Sequence, residues 1–392
     1  GKLMSSNDNQ DFKTREVHAG VSPDPLTGAI LTPIYQTTTY VQESVDKYLE
    51  KGYSYSRSGN PTVTALEKKI TALEGGIGSL CFATGMAATS CTIIGMVGAG
   101  DHIILSDVVY GGTHRVSTKV LNRWGLECSF VDTSDAANVK SAIRDNTKLI
   151  FTETPANPTL KLTDIAAVSE VAKAAGIPHV VDNTFLTPYY QRPLELGADI
   201  TLHSTTKFME GHNVSVGGSI TCANQEHLEK IMFVRNCLGS NMTPMVAFYT
   251  LQGVKTMSTR LEAQSANALK VAQFLETHAN VERVCYPGLD SFPQKELADR
   301  QASGHGSMLW FEVKGGVESG KKLMDRLQLW SLAENLGSVE SLVTHSVTMT
   351  HADMPREDRL AAGITDGLVR LSAGLESSAD LIADLKQALD SL

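Results

Sequence analysis

Short apolar segments alternate with helical segments through the first half of the chain, and this alternation limits the fold more than any other feature. The apolar segments, which we predict to be strands, end near residues 83, 107, 132, 155, 182 and 204. The intervening segment 164–176 places Ile165, Val168 and Ala172 on one helical face and stops at Gly176. Strands joined through helices predict a mostly parallel, twisted sheet covered on both faces, which is an α/β fold.

The length of 392 residues favours more than one domain, because a single simple core rarely extends this far. Residues 1–60 are polar and rich in turn residues, so they predict an N-terminal arm that contacts a neighbouring subunit. Residues 61–255 are predicted to form the large domain. Beyond them the pattern changes, and predicted strands within 304–316 and 366–376 indicate a smaller α/β C-terminal domain over 256–392.

Bulk composition excludes several classes of protein. A net charge of −9 disfavours nucleic-acid binding, which needs a basic surface, and the polar first ten residues predict neither a signal peptide nor a membrane span. The six cysteines show no C-x-x-C pair and no zinc spacing, and His345, His351 and Asp353 do not have the spacing of a recognised metal site. We therefore expect free thiols, no metal and a reducing, cytoplasmic compartment.

An aspartate and a lysine follow the last two strands of this series. Asp182 ends the apolar run VVD, and Lys207 follows the next strand after Ser204, Thr205 and Thr206. In such a sheet, ligands bind outside the carboxyl ends of the strands. A lysine can form a Schiff base with the aldehyde of pyridoxal phosphate (PLP), a carboxylate can keep its pyridine nitrogen protonated, and hydroxyls can bind its phosphate. A lone lysine after a strand is usually surface charge, but the three features together favour a PLP site.

Other positions support such a site, although each has an ordinary explanation as well. A glycine turn at Gly85, between a strand and a helix, offers free N–H groups to a phosphate, but such turns are common. Tyr55 and Arg57 could clamp a phosphate or be solvated surface. Tyr110 could stack on the cofactor and take part in proton transfer near it, or be a core aromatic. Arg370, inside an apolar strand, could bind a substrate carboxylate or be a paired buried ion.

These residues lie in segments whose order resembles that of the trans-sulfuration enzymes, the PLP-dependent family of Cys/Met metabolism that includes cystathionine γ-lyases and γ-synthases. From about residue 15 to the end of the chain, the segments are YSYSRSGNPT, ATGMAAT, VYGGTHR, ETPANPT, VVDNTFLTPYYQRPLELGAD, HSTTKFMEGH, AENLGSVESL, MTHADM and LVRLSAGLE. The resemblance implies the type I PLP-dependent, aspartate-aminotransferase-like fold. It also implies a homotetramer, built as a dimer of dimers with shared active sites.

The resemblance assigns four residues to the cofactor ring. Lys207 matches the Schiff-base lysine, Asp182 the partner of the pyridine nitrogen, Thr184 a residue packed under the ring and Tyr110 the stacking tyrosine. The expected catalytic residues are accordingly Lys207, Tyr110 and Asp182. The phosphate is assigned to two backbone N–H groups, two hydroxyls and a clamp delivered by the neighbouring subunit, which correspond to Gly85, Met86, Ser204, Thr206, Tyr55 and Arg57.

Five residues are expected from the resemblance around the substrate: Asn157, Arg370, Glu334, Asn335 and Arg115. Arg370 and Asn157 match groups near the substrate carboxylate. Glu334 matches an acidic residue that meets the distal amino group of cystathionine, although a glutamate in a polar loop is otherwise ordinary surface. Asn335 stands where many members have serine, and the loop after the lysine reads EGHNVSVGG where many lyases have a GHSD-type sequence.

The implied reaction is γ-elimination or γ-replacement on a sulfur amino acid, with Lys207 as the base that moves the α-proton. Cystathionine γ-lyase activity, which gives cysteine, 2-oxobutanoate and ammonia, and γ-synthase activity are the leading expectations. The expectation of methionine γ-lyase activity is weaker, because the loop after Tyr110 reads GGT and lacks a cysteine. O-acetylhomoserine sulfhydrylase activity stays open as a further alternative. A non-catalytic binding protein of this fold is disfavoured, because loss of catalysis should first erode Lys207, Asp182 or Arg370.

Overall fold

A computed structural model describes residues 10–392. Residues 1–9 lie outside the described residues. They include the start of the predicted arm and nearly all of the segment for which we expect no signal peptide or membrane span. None of the helices among residues 10–392 combines the length and the apolar character needed to cross a bilayer.

The larger of two sheets has seven strands. They are β1 (Gly78–Phe82), β2 (His102–Ser106), β3 (Glu127–Val131), β4 (Thr147–Glu153), β5 (His179–Asp182), β6 (Ile200–Ser204) and β7 (Gly218–Cys222). Their spatial order is β1-β7-β6-β5-β4-β2-β3. The five strands from β6 to β3 run parallel, while β7 is antiparallel to both β6 and β1. The predicted mostly parallel α/β sheet is therefore confirmed.

Helices cover both faces of this sheet, and further helices lie in the C-terminal part of the chain. They are α1 (Phe12–His18), α2 (Pro61–Glu74), α3 (Gly85–Met96), α4 (Gly111–Arg115), α5 (Ala136–Ala142), α6 (Ile165–Ala174), α7 (Thr187–Tyr190), α8 (Gln225–Leu238), α9 (Pro244–Val254), α10 (Met257–Glu276), α11 (Lys295–Gln301), α12 (Gly316–Arg326), α13 (Arg356–Ala361) and α14 (Ser378–Asp390). Short π- and 3₁₀-helical turns lie at Val116–Val120, Leu121–Trp124 and Pro193–Leu196.

Strand periodicity explains why both faces are covered. Ile103 and Leu105 of β2 pack on one side with Ile93 of α3, whereas Ile104 between them packs on the other side with Val168 of α6. A strand that is apolar at every position can be buried only if each face of the sheet has its own layer of helices.

Helix α2 shows how the sequence sets the end points of one element. Asn60 caps it by accepting a hydrogen bond from the backbone N–H of Thr62, and Pro61 takes the first helical position, where a missing N–H costs nothing. Gly75 ends the helix with a φ of 72°, a left-handed conformation that favours glycine. The local sequence Asn60-Pro61 at one end and Gly75 at the other therefore set the limits of this helix.

The smaller sheet lies in the C-terminal third of the chain. Its strands are β8 (Val281–Cys285), β9 (Met308–Val313), β10 (Ser331–Leu332), β11 (Leu342–His345) and β12 (Leu368–Ser372), in the spatial order β10-β11-β12-β9-β8. Only β10 and β11 pair in parallel. Strands β9 and β12 fall within the predicted segments, whereas β8, β10 and β11 were not predicted.

One continuous apolar cluster joins the two sheets and their helices. It includes Leu66 of α2 and Leu251 of α9 on one side, and Trp310 of β9 and Leu368 of β12 on the other, and we call these four residues the apolar seam. Helix α2 begins at Pro61 and α10 at Met257, near the expected domain limits of 60 and 255. The limits themselves stay predictions.

Candidate active site

Three neighbouring strands of the large sheet end in polar side chains. Glu153 ends β4, Asp182 ends β5 and Ser204 ends β6. Glu153 and Asp182 are direct partners in the parallel register, so their strand ends lie side by side. The Thr184 hydroxyl donates to Asp182 Oδ1 at 2.6 Å and accepts from the Ser204 N–H at 3.0 Å, which ties the ends of β5 and β6 together.

Two adjacent carboxyl groups at one sheet edge cannot both ionise easily. Burial raises the pKa of Glu153 to about 8, and the negative charge of Asp182 adds to the rise. Burial also raises the pKa of Asp182, but hydrogen bonds from the Thr184 hydroxyl and N–H favour its charged form. We therefore assign the proton to Glu153 and the charge to Asp182, which would suit a cationic pyridine nitrogen.

Glu153 is a candidate site residue that sequence reasoning missed. Its Oε2 accepts from the Tyr110 N–H at 2.8 Å, and its Oε1 accepts from the Asn157 N–H at 3.1 Å. One side chain therefore holds the loops after β2 and β4 in place. The sequence does contain a signal for this residue, since Glu153, like Asp182, is an acid at the end of an apolar strand.

Lys207 lies three residues beyond β6 and is close to an amide of the small-sheet side. Its Nζ donates to Asn335 Oδ1 at 2.7 Å. Burial lowers the pKa of Lys207 to about 8, and the positive charge of Arg370 contributes. A fraction of the molecules therefore carries a neutral amine near pH 7, as a base or a nucleophile requires.

Arg370, in the middle of β12, is buried with neutral partners. Its Nη1 donates to Asn157 Oδ1 at 3.0 Å, and its Nη2 donates to the Asn335 carbonyl at 3.1 Å and to the Thr344 hydroxyl at 3.0 Å. Burial lowers its pKa to about 10, an effect that Glu334 opposes. Within residues 10–392 no carboxylate forms an ion pair with it, so the alternative of a paired buried ion has no support.

The first turn of α3 can bind an anion. The hydroxyl of Thr84 caps Ala87, whereas the backbone N–H groups of Gly85 and Met86 have no acceptor among residues 10–392. A Cβ on Gly85 would lie 2.9 Å from the Ser204 Cβ, so only glycine allows this close approach. Free N–H groups at the start of a twelve-residue helix, beside a serine hydroxyl, fit the phosphate of PLP.

Two further predicted cofactor residues have different surroundings. The Thr206 hydroxyl donates to the Gly217 carbonyl at 3.2 Å and accepts from the Gly217 N–H at 3.0 Å, so its single proton is already used. Tyr110 is 48% exposed. A Cβ on Gly112 would lie 2.6 Å from the Tyr110 ring and 2.7 Å from the Met86 sulfur, so this glycine lets the two side chains approach each other.

The hydrogen bonds around Glu153, Lys207 and Arg370 link these three residues and their partners into what we call the connected set. Four predicted residues lie apart from it. Tyr55 and Arg57 stack on each other, with the guanidinium carbon 5.4 Å from the ring centroid. Arg115 is exposed at the end of α4. In the described part of the chain, the side chains of these three residues form no hydrogen bond or ion pair with another predicted site residue. Glu334 is exposed and contributes only its charge to the surroundings of Arg370.

Comparison with known proteins gives consistent similarities along the chain. The model of the family described as Cys/Met metabolism PLP-dependent enzyme matches residues 13–390. The cystathionine gamma-lyase of Bacillus subtilis is 47% identical over 380 residues, covering 97% of this chain and 99% of that protein. The cystathionine beta-lyase of Coxiella burnetii is 45% identical over 390 residues, covering 98% and 100%. The crystal structure of metB from Corynebacterium glutamicum has a TM-score of 0.94 at 43% identity, covering 99% and 100%.

Proposed function

The chain belongs to the Cys/Met metabolism PLP-dependent enzyme family, and on that premise we propose that it is a carbon–sulfur lyase that cleaves cystathionine by γ-elimination. The observation that carries the proposal is the pairing of a buried guanidinium with an amine. Arg370 and Lys207 both bind Asn335, one through the backbone carbonyl and the other through the side-chain oxygen. A cation without an acidic partner can receive the carboxylate of an amino acid, and the amine beside it can reach the substrate's reacting carbon.

The residues that would hold PLP form two groups. Those for the ring are Lys207, Asp182, Thr184 and Tyr110, and those for the phosphate are Gly85, Met86 and Ser204. Thr206 could bind the phosphate as well, but only after its hydroxyl turns away from Gly217. When bound, PLP supplies an aldehyde that condenses with amines and a ring that accepts electron density from the neighbouring carbon.

The chain's own residues supply orientation and proton transfer. Arg370, aligned by Asn157, binds the substrate carboxylate through a charge-assisted contact and so fixes the α-carbon. Lys207 takes the α-proton at Nζ, which its lowered pKa allows near neutral pH. Glu153 holds Tyr110 and Asn157 in position. Glu334 is proposed to meet the distal amino group of cystathionine.

Product analysis tests the proposed reaction. With PLP and cystathionine, the purified protein is expected to release cysteine, 2-oxobutanoate and ammonia in equal amounts, because γ-elimination breaks the bond between sulfur and Cγ. Homocysteine with pyruvate would instead indicate β-elimination, the activity in the name of the Coxiella burnetii relative. Parallel assays with methionine and homocysteine test the methionine γ-lyase alternative, O-acetylhomoserine plus cysteine tests the γ-synthase alternative, and O-acetylhomoserine plus sulfide tests the sulfhydrylase alternative. Preference for any of these over cystathionine would contradict the proposal.

A homotetramer with shared active sites is also proposed. Leu26 and Val41 in the arm are 90% and 93% exposed, which is costly for apolar side chains that stay in water. Tyr55 and Arg57 lie in the same arm and do not reach the connected set of their own chain. An arm of this kind fits a role against a second copy of the chain. The six free cysteines support a reducing, cytoplasmic location.

Subunit mixing tests the sharing of sites. Arg57→Ala and Lys207→Ala variants, each inactive alone, are expected to recover about a quarter of wild-type activity after they are unfolded and refolded together, because random dimers then contain intact sites. Each variant refolded with itself is the control. If Arg57 acted within its own chain, no mixed dimer would contain an intact site, and the mixture would stay inactive.

A further inference from the structure

Asn335 is connected to a carboxylate on the surface through a second asparagine. Its Nδ2 donates to Asn213 Oδ1, and Asn213 Nδ2 in turn donates to Glu340 Oε2 at 2.9 Å. With the bond from Lys207 to Asn335, three hydrogen bonds run in series from the buried amine to the carboxylate. The loop that contains Asn213 follows Lys207, whereas Asn335 and Glu340 precede β11.

Both ends of this series fix the direction of every bond in it. The Lys207 amine, when charged, only donates, so Asn335 must present its oxygen to it and its NH₂ group to Asn213. The Glu340 carboxylate only accepts, so Asn213 must present its NH₂ group to Glu340 and its oxygen to Asn335. Rotating either amide by half a turn would break two bonds, whereas a single isolated amide could rotate freely.

We propose that Asn213, oriented by Glu340, is a positioning residue that makes Asn335 a dedicated hydrogen-bond acceptor for the Lys207 amine. The inference rests on the role proposed above for Lys207. An acceptor opposite the amine favours its charged form and points one N–H away from the reacting side. Asn213 has a φ of 56°, a conformation that asparagine adopts more readily than most residues, which suits it to this position.

Other charged groups face the amine from the small-sheet side. Arg370 on β12 opposes a second positive charge at Lys207, and Glu334 and Tyr110 face Arg370 in turn. None of these groups touches Asn213 by a hydrogen bond within residues 10–392. A change at Asn213 should therefore reach Lys207 through the amide of Asn335.

Chemical labelling of the PLP-free protein measures this effect without catalysis. Acetic anhydride reacts with neutral amines, and mass spectrometry of the Lys207 peptide across a pH series gives the pKa of the amine, with exposed Lys322 as internal reference. Asn213→Gly removes the side chain and tolerates the positive φ. We expect the Lys207 pKa to fall in this variant, so that the neutral fraction at pH 7 rises about fivefold, as loss of one hydrogen bond to a charged group predicts.

Two matched variants separate orientation from a general loosening of the loop. Asn213→Asp keeps an oxygen for Asn335 Nδ2 but replaces the NH₂ group that faces Glu340 with a second negative charge, so the Lys207 pKa should not fall and should lie at or above its wild-type value. Val214→Ala changes the exposed neighbour and should leave the curve unchanged. A wild-type curve for Asn213→Gly would overturn the proposal, as would equal shifts in Asn213→Gly and Asn213→Asp. Because PLP and substrate are absent, either outcome leaves the proposed reaction standing.

Discussion

Replacing Lys207 with alanine is expected to lower kcat by roughly 10⁴-fold, the largest effect of any single substitution in this chain. Lys207 carries the buried amine that donates to Asn335, and its lowered pKa gives it a neutral fraction near pH 7. No other lysine donates to Asn335 among the described residues, so no neighbouring amine can replace it. The measurement is kcat for cystathionine cleavage at saturating PLP.

Lys207→Arg is the matched control. It keeps a positive charge and a donor for Asn335, but a guanidinium does not release its proton near neutral pH, so an equally large loss is expected. Borohydride reduction of the PLP-loaded wild type should attach the cofactor to the Lys207 peptide, and neither variant should be labelled there. Substantial turnover by Lys207→Ala, with an unchanged circular dichroism spectrum, would refute the assignment of the base.

Replacing Asp182 with asparagine is expected to lower kcat by about 10²- to 10³-fold, the range seen when one preorganised electrostatic contact at a reaction centre is lost. Asparagine has nearly the same shape and can still accept from Thr184. What disappears is the negative charge, and with it the group that would keep the pyridine nitrogen of PLP protonated. Single-turnover measurements at saturating substrate isolate this loss from binding.

Glu153→Gln provides a matched control one strand away. Because the raised pKa of Glu153 keeps this carboxyl protonated at neutral pH, a neutral amide resembles its native state. Glutamine retains one oxygen for either the Tyr110 or the Asn157 N–H but not for both, so a loss of about tenfold is expected. Equal losses in Asp182→Asn and Glu153→Gln would show that the charge at position 182 has no special role.

The α/β fold and the family were predictable because both depend on local patterns. Alternating apolar and helical segments indicated the parallel strands, and the order of the motifs indicated the family; both predictions are confirmed. Strand β8 was not predicted, because Glu282 and Arg283 at its second and third positions are exposed and interrupt its apolar pattern. Strand β7 was not predicted at all, so its antiparallel direction was not predicted either.

Parts of the site depend on contacts between distant segments, and these could not be read from the sequence. Glu153 becomes significant only when the register places it beside Asp182 and when both of its oxygens receive an N–H. The series through Asn213 crosses more than a hundred residues of chain and depends on which amide atoms face each other. The motifs identified the amino acids at these positions but not their partners.

The apolar seam restricts how this enzyme can respond to its substrate. Swinging the small sheet away from the large one would bring Trp310 and Leu368 into water, at a cost of about 1.5–3 kcal/mol for each large side chain uncovered. We therefore expect the two halves to behave as a single rigid frame during turnover. Adaptation to substrates of different length would then fall to the loop after Lys207 and to the segment around Asn335, where a few side-chain replacements could change what the enzyme accepts without moving its scaffold.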